Sequence, residues 1–281
     1  MKLALGTVQW GTNYGISNNL GVPSDLELKK ILKFSKNNGI KLLDTASTYG
    51  DSELRIKKLT NHDFNIITKI SSISNENSIK KQINNSLNRL GANSIYGCLF
   101  HSPNELIKNN HYWDKINEEK INGKVKKIGY SLYHPNELDY LLNSEIIPDI
   151  VQVPFSLLDR KFESYFEILN KMKIEIHVRS VFLQGMYFLN PDELPKKLKD
   201  YAKPLNKLKQ IANDCSIEML DLALNYVLNK NYINYVVIGV VNMKQIEDIF
   251  FSSNKKLNKE TIKIIENIKF DNKDILNPSN W

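Results

Sequence analysis

Eight short apolar runs, each followed by a longer stretch with helical periodicity, dominate this sequence. The runs are Lys2 to Thr7, Ile40 to Asp44, Asn65 to Lys69, Ile95 to Phe100, Lys126 to Ser131, Ile150 to Pro154, Ile174 to Ser180 and Tyr235 to Ile238. Several are continuously apolar, the pattern of a parallel strand buried on both faces. The intervening stretches have helix ends. Ser24 with Glu27 forms a capping box, Leu28, Ile31, Leu32 and Ser35 mark one face, and Gly39 stops the helix. Ile79, Ile83, Leu87 and Leu90 form a second stripe ended by Gly91, and Leu220, Leu224, Val227 and Leu228 a third after a Ser216 cap. Eight strand-helix units in 281 residues give about 35 residues per unit, the build of a (β/α)8 TIM barrel of typically ~250 residues. A doubly wound sheet is the rival, and no Gly-x-Gly-x-x-Gly follows any strand to favour it. The expectation is a single α/β domain, residues 1–281, without an internal linker.

Composition narrows the function classes. Hydrophobic residues make up 42% and charged residues 25%, enough apolar material for a folded core. The net charge is +7, but the lysines are scattered over helix-like faces without a basic block, which predicts solvated surface and no nucleic-acid partner. No apolar run approaches the ~18 residues of a membrane span, and the opening Met1 to Leu5 breaks at Gly6, too soon for a signal peptide. Cys98 lies in an apolar run and reads as a small buried hydrophobe. Two cysteines make no disulfide framework, which fits a reducing, cytoplasmic setting. His62, His101, His111, His134 and His177 lack metal-ligand spacing, so no metal is expected. The loop-like stretches are Thr12 to Pro23, Ser102 to Tyr112, Gln184 to Pro204 and the tail after Asp271. The short tail leaves the barrel mouth open unless 184–204 covers it.

In a barrel, chemistry belongs at the C-terminal ends of the strands. Asp44 closes the second run with Tyr49 five residues on, Lys69 closes the third, and His101 follows the fourth. Each alone has a bland explanation in capping or packing. Together they form an acid. A free tyrosine titrates near 10; a lysine beside it stabilises the phenolate, and an aspartate keeps the buried lysine charged. A neutral imidazole orients a carbonyl oxygen. The set polarises and protonates a carbonyl but carries no reductant, so a cofactor must supply the electrons.

Several segments then carry a family resemblance: Leu5-Gly6-Thr7-Val8-Gln9-Trp10-Gly11, Asp44-Thr45-Ala46 through Tyr49-Gly50 to Ser52-Glu53, Thr68-Lys69, Leu99-Phe100-His101-Ser102-Pro103, Gly129-Tyr130-Ser131, Gln152 and Ile238-Gly239. Across nearly its whole length the chain resembles the aldo-keto reductase superfamily, NAD(P)H-dependent enzymes on a (β/α)8 barrel. The resemblance implies Tyr49 as general acid, Lys69 and His101 as its tuning partners and Asp44 as support for Lys69. It implies cofactor contacts at Thr7, Ser131, Gln152, Ser180, Leu183, Gln184, Gly185, Gly239, Val240, Asn242, Lys244, Gln245 and Asp248. Arg179 stands where many relatives stack an aromatic ring on the nicotinamide, and a planar guanidinium can stack there or meet an acidic substrate group. Leu132 replaces an asparagine, and Val241 and Asn242 replace the serine and basic residue that grip the ribose 2′-phosphate. Lys244 is expected to supply that charge, making NADPH the implied cofactor and NADH the alternative. Trp10 and Tyr14 are implied substrate contacts. The expected reaction is reduction of an aldehyde or ketone, the substrate a sugar or sugar derivative, and the molecule a monomer or weak homo-oligomer. The alternatives are a cofactor-binding regulatory subunit with little turnover and an enzyme that retains its hydride.

Overall fold

The computed structural model describes residues 1–270, 276 and 277. Eight strands, β1 Leu3–Gly6, β2 Leu42–Asp44, β3 Asn65–Ile70, β4 Ile95–Phe100, β5 Val125–Ser131, β6 Ile150–Pro154, β7 Glu175–Arg179 and β8 Tyr235–Gly239, pair in chain order and close, β8 onto β1. Every pairing is parallel, and the helices run between strands, as the (β/α)8 barrel requires. All eight expected runs became strands, two with the same ends and six with an end shifted by one or two residues.

Side-chain alternation sorts the strands into two layers. Leu3 and Leu5, Ile66 and Ile70, Cys98 and Phe100, Val151 and Val153, Ile176 and Val178 face the helices in the main core. Ala4, Leu42, Ile67, Leu99 and Ile150 form a second, smaller apolar cluster inside the barrel. The same period of two carries Asp44, Lys69, Gln152 and Arg179 on the inward positions at the C-terminal rim. At the opposite end the inward positions are also polar. Glu175 accepts from Tyr96 Oη at 2.8 Å and Lys127 Nζ at 2.5 Å, with His177 Nε2 3.2 Å away. Burial pushes Glu175 up, and the donors His177, Lys127 and Tyr96 pull it net down to about 2. The interior is therefore apolar in the middle and charged at both ends.

The helix-end signals hold for two of the three stripes. Ser24 Oγ accepts from Glu27 N at 3.2 Å to start the helix Asp25–Asn37, which buries Leu28, Ile31, Leu32 and Ser35. The helix Glu76–Leu90 buries Ile79, Ile83, Leu87 and Leu90 and ends at left-handed Gly91. The third differs. Met219–Leu228 starts after Glu218 and not Ser216, and buries Leu222, Ala223, Leu224, Asn225, Tyr226 and Val227. Ser216 has φ 52° in the turn that ends the preceding helix, Ala202–Asp214. Two expected loops are also partly helical. Asn104–Lys108 lies in the first, and residues 183–201 form three 3-10 segments anchored by buried Met186, Tyr187, Leu194, Leu198 and Tyr201. Spaced apolar residues hold that stretch down as a packed rim. The tail after Asp271 lies outside the described residues apart from 276 and 277. No helix among the described residues is long and apolar enough to cross a membrane, and none of their His, Cys, Asp or Glu side chains group as metal ligands.

One close approach fixes the loop that bears Tyr49. A Cβ on Gly11 would lie 1.9 Å from the Tyr49 carbonyl oxygen, and one on Gly50, at φ +54°, 2.3 Å from the Gly11 oxygen. Only two glycines let the turn after β1 and the turn after β2 lie backbone to backbone. Gly11→Ala is expected to push them apart and destabilise the protein by about 1–3 kcal/mol, read from urea unfolding, with a fall in whatever activity depends on Tyr49.

Candidate active site

Three strand ends meet at Asp44. Its Oδ2 accepts from Lys69 Nζ at 2.6 Å and its Oδ1 from Gln152 Nε2 at 2.7 Å. Lys69 Nζ donates also to the Thr45 carbonyl at 2.9 Å. The lysine side chain is 1% exposed and the aspartate 6%, so the pair is held away from water and stands or falls by its geometry. Lys69 Nζ lies 5.2 Å from the Tyr49 ring centroid, and the Tyr49 and His101 rings meet edge to face at 5.7 Å. Thr48 Oγ1 and His101 Nδ1 are 3.4 Å apart.

Buried hydroxyls and a second ion pair hold this group. Thr7 Oγ1 donates to the Asp44 carbonyl at 3.1 Å, Ser52 Oγ to Thr7 Oγ1 at 2.7 Å, and Thr45 Oγ1 pairs with Ser52 Oγ at 3.1 Å. Fully buried Glu53 accepts from Thr68 Oγ1 at 2.7 Å and from Arg89 Nε at 3.0 Å, and Arg89 Nη2 reaches the Gly50 carbonyl at 2.6 Å. Thr68 precedes Lys69 and Gly50 follows Tyr49, so the Glu53–Arg89 pair braces both.

The electrostatics depart from the sequence expectation at one point. Burial pushes the Tyr49 phenol up, Lys69 pulls it down, and burial prevails, leaving it above the ordinary tyrosine value. Tyr49 therefore keeps its proton at neutral pH. Burial pulls Lys69 down, but Asp44 and Tyr49 beside it raise it further, and it stays an ammonium. Burial, then the Lys69 charge, pushes His101 down to about 4 against the opposing pull of Asp44.

A cavity of about 820 Å³ opens over these groups and runs to the corner between β8 and the helix Met243–Ser252. It is lined at one end by Asp44, Tyr49, His101, Ser131, Gln152 and Arg179, and at the other by Gly239, Gln245 and Asp248, with Thr7, Tyr14, Ser180, Gln184 and Gly185 between. Five expected contact residues do not line it. Trp10 is fully buried in the helix-facing core, so its place among the substrate contacts is corrected: the turn Val8–Gly11 presents Gln9 to the cavity and turns Trp10 inward. Leu183 is likewise a core residue, with backbone φ 44°, and Val240 is buried. Asn242 caps the helix Met243–Ser252, accepting from Gln245 N at 2.9 Å, and Lys244 is 79% exposed and paired with Asp248 at 2.6 Å. Lys69 works from beneath the wall. Thr7 lines the cavity, but its hydroxyl is committed to Asp44 and Ser52.

Sequence reading missed the opposite wall. Ser17, Asn18, Leu20, Tyr133, Phe188 and Leu220 line the cavity. Tyr133 carries the Arg179 guanidinium 4.3 Å over its ring, while Arg179 Nη2 donates to the Leu132 carbonyl at 3.0 Å and Nη1 to Ser180 Oγ at 3.3 Å. Leu132 is thus an anchor for Arg179 by its backbone. Residues 12–23 cross to residues 180–188 through Ser17 Oγ to the Gln184 carbonyl at 3.2 Å and Gln184 Nε2 to Tyr14 Oη at 3.1 Å. No local pattern marks such contacts; spacing between distant loops decides them.

The residues fit a nicotinamide dinucleotide. The cavity, about 820 Å³, has polar groups at both ends and three left-handed backbones, Ser180, Gln184 and Gly185, along one wall. Gln9 Oε1 is buried without a hydrogen-bond partner beside Gly239, whose missing Cβ makes room for the amide.

A family model described as the aldo/keto reductase family matches residues 2–269. The chain is similar to an uncharacterized oxidoreductase, YqkF, of Bacillus subtilis (strain 168), 25% identical over 257 residues, or 81% of this chain and 83% of that protein. Among solved structures, the glycerol dehydrogenase AKR11B4 from Gluconobacter oxydans superposes with a TM-score of 0.77 at 19% identity, covering 94% of this chain and 90% of the other. The holo form of the aldo-keto reductase AKR11C1 from Bacillus halodurans gives 0.75 at 20% identity, covering 97% and 94%.

Two outcomes are expected here. Asp44→Asn strands the buried Lys69 charge and costs about 3–5 kcal/mol in urea unfolding. The His101 ring, followed by NMR, shows no inflection across roughly pH 5 to 8. Its folded value of about 4 lies below the ordinary 6.5, so the unfolded chain takes up that proton first and stability falls as pH drops through that window.

Proposed function

The chain belongs to the aldo/keto reductase family, and from that premise we propose that it reduces an aldehyde or ketone to the alcohol, with Tyr49 as proton donor and a nicotinamide dinucleotide as reductant. The observation that carries this reading is the Asp44–Lys69 pair buried beside the phenol of Tyr49, at one end of a cavity of about 820 Å³ that reaches the corner by β8.

The bound cofactor supplies the hydride to the carbonyl carbon. Tyr49 holds its proton at neutral pH and gives it to the carbonyl oxygen as negative charge gathers there. The Lys69 ammonium stands beside the phenolate so formed and compensates its charge in a water-poor site. Asp44 keeps that ammonium charged. His101 is neutral, so its imidazole hydrogen-bonds the carbonyl oxygen and orients it without competing as a proton source. Gln152 spends Nε2 on Asp44, which leaves its carbonyl oxygen to accept from a carboxamide, with the Ser131 hydroxyl on the neighbouring strand. In the reverse direction the phenolate accepts the alcohol proton, and the same groups serve oxidation.

Gln9, Tyr14, Tyr49, His101 and Arg179 put hydrogen-bonding groups and aromatic faces around the reacting end. That mixture supports a polar carbonyl compound with several hydroxyls or an anionic group, a sugar or sugar derivative. Arg179 makes no ion pair among the described residues and is the cation that would meet a substrate anion.

Consumption of reduced cofactor against a panel of aldehydes and aldoses tests the assignment. Tyr49→Phe is expected to lose turnover by about 10²–10⁴-fold while cofactor binding, read by fluorescence, persists. Equal activity in both proteins would remove Tyr49 from the mechanism. Tight cofactor binding with no turnover on any substrate would favour a regulatory role.

A further inference from the structure

The reading of the cavity as a nicotinamide-dinucleotide site leaves one choice open, and the charges at its far end bear on it. NADPH and NADH differ only at the adenosine ribose, which carries a 2′-phosphate in one and a hydroxyl in the other. Hydride chemistry beside Tyr49 puts the nicotinamide at that end. The adenosine half then extends to the corner where Val241, Gln245, Asp248 and Ile249 form the wall.

Among the described residues, no unpaired cation lines that corner to receive a phosphate. Among the described residues lining the cavity Arg179 is the one cation, and it stands at the Tyr49 end. Lys244, the residue expected to supply the charge, lies off the wall and is paired with Asp248 Oδ1 at 2.6 Å. Two first-turn amides of the helix Met243–Ser252 are already taken: Met243 N donates to Glu27 Oε1 at 2.7 Å and Gln245 N to Asn242 Oδ1 at 2.9 Å. Val241 N is taken by Gln245 Oε1 at 2.8 Å. A helix N-terminus favours an anion, and here the protein's own Glu27, reaching over from the helix Asp25–Asn37, occupies that position. Lys30 sits 3.5 Å from Glu27, and Glu247 adds a further negative charge near Lys244. Counted over Glu27, Lys30, Lys244, Glu247 and Asp248, the corner is net negative. A 2′-phosphate drawing Lys244 away would leave Asp248 unpaired beside a dianion. A 2′-hydroxyl meets no such penalty and can donate to the Asp248 carboxylate, the recognition by which acidic residues select NAD in dinucleotide folds.

We propose that this chain binds NADH in preference to NADPH, because Asp248 and Glu27 hold the β8 corner negative and the lysine nearest it, Lys244, is already paired with Asp248. This rests on the nicotinamide-dinucleotide reading and reverses the NADPH expectation drawn from the sequence.

Equilibrium binding on the full chain, without substrate, tests it by fluorescence quenching or calorimetry. NADH is expected to bind at least about tenfold more tightly than NADPH, and ADP more tightly than 2′,5′-ADP, which isolates the adenosine end. Rising salt should narrow both ratios, since screening weakens like-charge repulsion. Glu27→Gln should narrow the ratio through a gain in NADPH affinity with NADH little changed, and Asp248→Asn should narrow it from both sides, with NADPH gaining affinity and NADH losing its charge-assisted bond to the carboxylate; near-UV circular dichroism confirms that they fold. NADPH binding as tightly as NADH in the wild type overturns the proposal. An unchanged ratio in both variants overturns its electrostatic cause. Failure of both cofactors to bind overturns the dinucleotide reading itself, a separate result.

Discussion

The carboxylate of Asp44 ties the structure together. It takes one hydrogen bond from Lys69 on β3 and one from Gln152 on β6, so strand ends on opposite sides of the barrel converge on one side chain. An isolated ammonium at the depth of Lys69 would lose its proton, and an isolated carboxylate there would gain one. Lys69 keeps its proton because Asp44 faces it with a short, directed bond. Such a pair adds little net stability compared with an apolar replacement, while removing one partner is costly. What it does is place a fixed positive charge beside the Tyr49 ring in a water-poor site, which is the charge the proposed mechanism needs there.

Everything around that pair holds its parts still. Gly11 and Gly50 allow two backbone turns to touch, Thr7, Ser52 and Thr45 knit the ends of β1 and β2 through hydroxyls, and Glu53 with Arg89 braces the residues next to Lys69 and Tyr49. The barrel supports this because parallel strands end together at one rim, so short excursions from several strands meet without long loops. At the other rim a similar set of residue types, Tyr96, Lys127, Glu175 and His177, pairs internally. Tyr96 lines only a small cavity of about 160 Å³ there, and the cluster reads as a polar closure of the barrel floor.

The fold and the reacting end were legible from the chain because both are carried by local signals. A run such as Ile95 to Phe100 is apolar on both faces, the pattern of a strand buried on both sides. Asp44, Lys69 and His101 show because charged or polar groups ending apolar runs demand partners. The periodicity around Leu220 misled: with the helix starting at Met219, Leu220 faces the cavity and Leu222 faces the core. Trp10 misled for the opposite reason. A four-residue turn rotates adjacent side chains apart, and no period within Val8-Gln9-Trp10 says which one faces inward.

The sequence by itself determined the eight strands, the barrel they close and the set of Asp44, Tyr49, Lys69 and His101 that gathers at its rim, because period, burial and partner demand are properties of short segments. It also carried the family motifs on which membership rests. Tertiary structure alone decided the net proton affinity of Tyr49, where burial outweighs Lys69, and the stacking of Arg179 on Tyr133. It alone decided the occupation of the Met243–Ser252 helix end by Glu27, a residue over two hundred positions away in the chain. Each of these depends on distance between segments that no local pattern relates, and electrostatic energies follow distance and burial, not order along the chain.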